Sequence, residues 1–441
     1  MDRRSFVKSS AVLGAAAALP RFSFAQVKGN DRIKVSLIGC GGRGTGAACN
    51  MISGDQNIQF VAFGDLFEKK PDNSVKKIFE HAVKVTGSEA KAREIIDPDK
   101  VKKFVGWDAV DSVLAEPCDV VIEATPPVFR TPHYAKIVAA GKHAFLEKPG
   151  AVDVQQGLQM YKLAEEASKK GLCVVCGNQR RYSSQYQELV KRMQDGEIGD
   201  LISGQCYWNN GGYIGAWAWG PKGTEETLEY QIKNWWCFIW ASGDNIVEQH
   251  VHNIDVLMWA FGSDRMPVEV TTGLGGRSTD LPCPQYGDRF SHFAIDYDMG
   301  NGLRMASYCH QDPNTSPNVR ERILGTKGMF QWMKLMDYKG KVICDTPKWT
   351  MDAYIAEHVY LLNAIRTGKR VNELKNLINS NMVAIAGRMA AYPGKRLKYD
   401  WVVKKSKENL VPANVDLMGK TQDLSLKNPV SVPVPGKYAL V

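Results

Sequence analysis

The stretch Ile33-Lys-Val-Ser-Leu-Ile-Gly39-Cys-Gly41-Gly42-Arg43-Gly44, with Phe60-Val-Ala-Phe-Gly64-Asp65 after it, decides the fold. A short apolar run rich in β-branched residues breaks at a glycine turn, a small-residue segment reads as helix, and a second apolar run ends in an acid. Gly39 permits the tight turn, Gly41 lets a pyrophosphate approach the backbone, and Gly44 lets the helix pack on the strand, with the phosphates at the helix N-terminus. Asp65 follows Gly44 by 21 residues, near the roughly 20 expected of a carboxylate that hydrogen-bonds an adenosine ribose. An acid there favours NAD over NADP, because a 2′-phosphate would meet a like charge. Gly42 and Arg43 complete the cofactor turn.

Working outward, Val120-Val-Ile-Glu-Ala-Thr125-Pro126-Pro127 and His143-Ala-Phe-Leu-Glu147-Lys148-Pro149-Gly150 read as two further strands. Their terminal loops reach the sheet edge that carries the glycine turn, where ligands of open parallel sheets bind. Thr125, Pro126, His133, Glu147 and Lys148 are therefore candidate cofactor contacts, and His133 is read as the start of a helix ended at Gly141. Pro149 blocks continuation of the ladder and holds Glu147 and Lys148 at the strand end. The Lys-rich region after Asp65 reads as helical to about Lys103, residues 152–171 as an amphipathic helix, and 172–177 as a buried strand leading to Arg180, Arg181 and Tyr182.

Beyond Gly199 the texture changes to strand-like segments around 202–208, 268–272, 290–298, 303–309 and 322–324, separated by turns such as Met299-Gly-Asn-Gly302. Two helices follow, from Asp352 to Thr367 and from Asn372 to Tyr392. The expected fold is α/β: an N-terminal Rossmann dinucleotide-binding domain over 31–150 and an α/β domain over 151–400 with an open, largely antiparallel sheet. Residues 401–441 form a C-terminal arm on the body or on a neighbouring subunit.

The 441 residues are 44% hydrophobic and 23% charged, enough for two cores. Of the net charge of +9, the first 25 residues hold +3, and the remaining +6 is dispersed, which argues against nucleic-acid binding. Arg3-Arg4-Ser-Phe-Val-Lys8 precedes an apolar stretch, Ala11 to Leu19, that is too short for the roughly 20 residues a bilayer span requires. Residues 1–25 therefore resemble a twin-arginine export signal with a peptidase site at Ser23-Phe-Ala25, and the mature chain is expected in the periplasm without membrane insertion. Twin-arginine export carries folded proteins, so the ten cysteines read as small core residues rather than disulfides.

Together with Gly243-Asp-Asn-Ile-Val-Glu248-Gln-His250-Val-His252-Asn-Ile-Asp255, these motifs resemble the glucose-fructose oxidoreductase, inositol dehydrogenase and rhizopine-catabolism (Gfo/Idh/MocA) family over roughly Arg32 to Trp401. The resemblance implies NAD chemistry on a sugar, an open sheet that forms homodimers or homotetramers, and a substrate hydroxyl flanked by Lys148 and His252. One departure stands out. The usual motif is similar to Asp-x-Gly-x-His-x-x-Asp, and here Glu248 replaces the first acid and His250 the glycine. Relatives that are redox-neutral N-acetylgalactosaminidases usually lack Glu-Lys-Pro, which this chain has.

Oxidation of an alcohol needs a base for the hydroxyl proton and a cation for the developing alkoxide. Lys148 suits the cation and His252 the base. Asp255, three residues on, is placed to orient the His252 ring, and Glu248 is a spare acid–base group. Six of eleven tryptophans fall between Tyr207 and Trp240, and pyranose C–H faces pack on aromatic rings. Trp236, Arg180, Tyr182, Asn209, His250 and His252 are thus candidate substrate contacts. Glu248, His250, His252 and His310 also have metal-ligand chemistry, but no other ligand cluster supports it and no metal is expected. The expected reaction is oxidation of a secondary ring hydroxyl, C3 of a glycoside by analogy, with tightly bound NAD. A redox-neutral glycosidase or lyase working through a keto sugar is the alternative.

Overall fold

The computed structural model describes residues 31–210, 220–278, 280–346 and 351–441. The export signal, Trp217 and Trp219 lie outside them.

Six parallel strands make the first sheet: β1 (Ile33–Ile38), β2 (Ile58–Asp65), β3 (Lys102–Val105), β4 (Val120–Glu123), β5 (His143–Leu146) and β6 (Val174–Cys176). Their order, 3-2-1-4-5-6, is that of a Rossmann sheet. Val35, Leu37, Val121, Ile122 and Phe145 have no exposed surface, as a parallel sheet covered on both faces requires. The expected boundary at residue 150 falls too early, because β6 pairs in parallel with β5. The sheet therefore closes only at Cys176. Leu361, Leu362 and Ile365 of the late helix Ala353–Thr367 also enter this core. Two local readings change: the helix expected at His133 already begins at Pro127 and runs to Ala139, and the region near Lys103 is strand β3.

The second sheet holds nine strands: β7 (Leu201–Asn209), β8 (Glu269–Gly276), β9 (His292–Asp298), β10 (Arg304–His310), β11 (Asn318–Gly325), β12 (Gly328–Gln331), β13 (Lys334–Asp337), β14 (Val342–Asp345) and β15 (Leu397–Lys398). All its pairings are antiparallel except β7 with β10. One face buries Cys206, Met305, Cys309, Phe293, Ile295 and Tyr297, in one core with the helices Val251–Phe261 and Leu374–Ala391. Period-2 alternation leaves Gln205, Tyr207, Tyr308, Arg320 and the 60%-exposed Leu274 on the open face. All ten cysteines are free thiols. The C-terminal arm lies on the chain's own body, where Val415 is buried. Among the described residues no helix is long and apolar enough to cross a membrane.

Candidate active site

The glycine turn is built as its residue types require. Gly39 has φ +90° and donates its N–H to the Gly64 carbonyl at 2.9 Å, and a Cβ there would stand 2.6 Å from the Ala124 backbone. A Cβ at Gly44 would stand 1.9 Å from the Gly39 oxygen, so the helix Gly42–Gly54 reaches this close to β1 only with glycine. Gly41, by contrast, has open space where its side chain would be, and no side chain caps the helix. This cradle fits a pyrophosphate at a helix N-terminus. Asp65 closes β2 and accepts the Cys40 N–H at 2.8 Å and the Phe67 N–H at 3.0 Å. Its carboxylate keeps further lone pairs for ribose hydroxyls.

Behind the edge, a sealed ion pair ties the loops together. Arg130 donates to Glu123 at 2.8 Å, both side chains being almost wholly buried, and to the Pro149 carbonyl at 2.6 Å. Glu123 also takes Thr125 Oγ1 and His133 Nδ1, the latter at 3.2 Å. His133 thus braces the Thr125–Pro126 loop through Nδ1. Removing a partner from such a buried pair typically costs 3–5 kcal/mol, so the position of Lys148 relative to β4 is firmly set. Arg43 is engaged as well, with Glu147 at 2.6 Å and over the Tyr354 ring at 5.0 Å.

Lys148 meets the second domain at this point. Its ammonium donates to the Glu248 carbonyl at 2.7 Å and pairs with Glu248 Oε1 at 3.1 Å. The other carboxylate oxygen accepts the Trp236 indole N–H at 2.7 Å. The fully buried Arg289 guanidinium lies 3.5 Å from the Trp236 ring centroid. Sequence reasoning missed Arg289, since nothing near it in the chain signals a tryptophan from another element. His252, at the start of Val251–Phe261, stacks on Trp208 at 6.0 Å. Among the described residues its ring nitrogens have no hydrogen-bond partner. Burial, then the charges of Lys148, Arg180 and Arg43, hold its pKa well below 6.5, so it is a neutral imidazole at neutral pH.

Four expected roles are corrected. Asp255 does not orient His252: Arg181 clasps it through bonds of 2.8 and 2.9 Å, and Ser380 donates to it at 2.6 Å. His250 has no exposed surface and binds Ser307 Oγ at 2.8 Å, and burial pushes its pKa down to about 3, so it is a core residue and not a substrate contact. Tyr182 gives its hydroxyl to Glu373 inside the Rossmann core. Asn209 alternates with Trp208 along β7 and takes the opposite face. Arg180 stays beside Trp208, 6.0 Å from the ring centroid, but is committed to Glu321, which also binds Tyr186 at 2.9 Å and Asn253 at 2.6 Å.

The two histidines and Glu248 thus diverge, and His310 binds Thr315 in a separate cleft of about 420 Å³ shared with Asn209, Tyr207 and His292. No group of three His, Cys, Asp or Glu among the described residues is arranged to hold a metal ion.

Against known proteins, residues 33–175 match the Gfo/Idh/MocA oxidoreductase family with its NAD-binding Rossmann fold, and residues 1–20 match a twin-arginine translocation signal. The scyllo-inositol 2-dehydrogenase (NAD(+)) of Bacillus subtilis is 23% identical over 357 residues, 77% of this chain and 87% of that protein. A glycosyl hydrolase family 109 protein of Shewanella pealeana is 24% identical over 228 residues, 47% of this chain and 45% of that one. The fold is that of scyllo-inositol dehydrogenase from Lactobacillus casei, solved with NAD(H) and scyllo-inositol. The TM-score is 0.60 at 17% identity, over 84% of this chain and 99% of that structure.

Proposed function

We propose, from the match of residues 33–175 to the Gfo/Idh/MocA oxidoreductase family, an exported, periplasmic enzyme that keeps NAD bound and oxidises a secondary hydroxyl of a sugar, glycoside or cyclic polyol. The supporting observation is the Lys148 ammonium, fixed at a Rossmann strand end by Glu248 at 3.1 Å, within electrostatic reach of the neutral His252. Export removes the chain from the free nicotinamide nucleotides of the cytoplasm, so the cofactor must travel bound.

Bound NAD supplies a hydride acceptor. Lys148 donates a hydrogen bond to the substrate hydroxyl and stabilises the oxygen as its proton leaves. His252 accepts that proton at a ring nitrogen, a task its low pKa suits because the base form is present through neutral pH. Glu248 and Trp236 hold Lys148 in place, and the Trp208 ring offers an apolar face to the C–H side of the sugar. For a glycoside the proposed position is C3. The open face of the second sheet, with Tyr207 and Tyr308 stacked at 5.4 Å, is the proposed surface of a homodimer or homotetramer.

A redox-neutral glycosidase is the second reading, favoured by the similarity to the Shewanella hydrolase. For its acid–base steps it has Glu248 but not His250, which is sealed in the core. The test is to add glycosides and inositols to the purified protein without cofactor. A rise in the reduced-nicotinamide band supports oxidation, aglycone release without added acceptor supports cleavage, and neither response rejects both.

A further inference from the structure

The C-terminal arm is joined to the wall of the cofactor edge. It is anchored where the buried Glu408 pairs with Arg388, and Leu410 donates to Asp153 at 2.8 Å. It then crosses the segment 226–231. Leu228 and Glu229 donate their N–H groups to the carbonyls of Leu426 at 2.9 Å and Leu424 at 3.0 Å, and Asn428 donates to Glu226 at 2.7 Å. The Gln231 side-chain amide donates to the Asn428 backbone carbonyl at 2.7 Å, and the Asn428 amide donates to Gln231 Oε1 at 2.9 Å.

The helix held in this way, Leu228–Lys233, reaches the cofactor edge at its far end. The Lys233 ammonium lies 5.1 Å from the centroid of Phe67, two residues beyond Asp65. One apolar cluster contains Phe129, from the helix after β4, and the arm's Val415, with Phe67, Trp107, Leu424 and Leu426 packed against it. Asp65 marks the ribose position, so the loops after β2 and β3 that bear Phe67 and Trp107 flank the adenosine half of the dinucleotide. Beyond the helix the same segment delivers Trp236 to Glu248.

We propose that the arm, residues 408–430, is a clasp that retains the cofactor. It pins Leu228–Lys233 over the adenosine loops, so NAD leaves only when helix and arm lift together. This deepens the reading of the chain as a carrier of bound NAD, and rests on it.

The test uses the full chain, stripped of nucleotide, reloaded with NAD and diluted, with the dissociation rate measured. Leu426→Asp places a charge in the apolar cluster, Asn428→Ala removes the side-chain bond to Gln231, and Lys420→Ala alters an exposed part of the arm. Far-UV circular dichroism and melting temperature report on folding. Release is expected to speed up by roughly tenfold in Leu426→Asp, the equivalent of a modest loss of contact energy, by about threefold in Asn428→Ala by the same scale, and not at all in Lys420→Ala. Folded Leu426→Asp and Asn428→Ala proteins that release NAD at the wild-type rate overturn the clasp while leaving the NAD reading intact. If Leu426→Asp fails to fold, Asn428→Ala decides. A wild-type chain that takes up no NAD overturns both.

Discussion

Glu248 and Asp255 stand seven residues apart on consecutive helical segments, and the fold puts them to opposite uses. Glu248 faces the dinucleotide edge, with one oxygen on Lys148 and the other on Trp236. Asp255 faces the core and is closed by Arg181 and Ser380. The two histidines between them divide in the same way, His252 against Trp208 and His250 against Ser307. A carboxylate or imidazole thus acquires a chemical or a structural role from what the rest of the chain brings to it.

The largest effect should come from the chemical side. Lys148→Met is expected to lower kcat per folded molecule by about 10³-fold, within the range for losing a positioned acid–base group. A stability loss with turnover intact would move Lys148 to the structural side. Asp255→Asn should do the reverse. It leaves the Arg181 guanidinium facing a neutral amide in a buried setting, at a cost of about 3 kcal/mol, measured by denaturant unfolding, while kcat per folded molecule stays within about threefold of wild type.

The histidines give a pH test with a definite sign. His250 titrates near 3 in the folded protein and near 6.5 when unfolded. The unfolded state therefore binds more protons between those values, and the contribution of His250 to stability falls as pH drops through that window. Relative to His250→Gln, wild type should lose about 2 kcal/mol between pH 6.5 and 5, at roughly 1.4 kcal/mol per unit. An unchanged difference would mean that His250 is not sealed. His252, also held low, should place the acid limb of kcat/KM below pH 6.5. The smallest change is Trp236→Phe, which deletes the indole N–H to Glu248. It should lower kcat about fivefold, from a loss of about 1 kcal/mol, and an unaltered enzyme would show that Glu248 holds Lys148 unaided.

What could be read from the sequence divides along the same line. The glycine turn was legible because its demands are local: φ +90° at Gly39 and the approach of Gly44 to the Gly39 carbonyl depend on residues a few positions apart. Lys148 was legible because Pro149 ends its strand. Asp255 and Tyr182 were misassigned because their partners Ser380 and Glu373 lie 125 and 191 residues away, beyond the reach of spacing. Asn209 was different: strand alternation alone separates it from Trp208, provided the site-facing face of β7 is known. The arm's cross-links to Leu228–Lys233 carry no local signature either, because they are mostly backbone hydrogen bonds.

The most direct measurement follows bound NAD in single turnover with any sugar, glycoside or inositol that reduces the wild-type protein. Lys148→Met and Asp255→Asn, each loaded with NAD, are mixed with that compound and the reduced-nicotinamide absorbance is recorded. Near wild-type reduction is expected in Asp255→Asn and almost none in Lys148→Met. Prompt reduction in Lys148→Met would remove Lys148 from the chemistry.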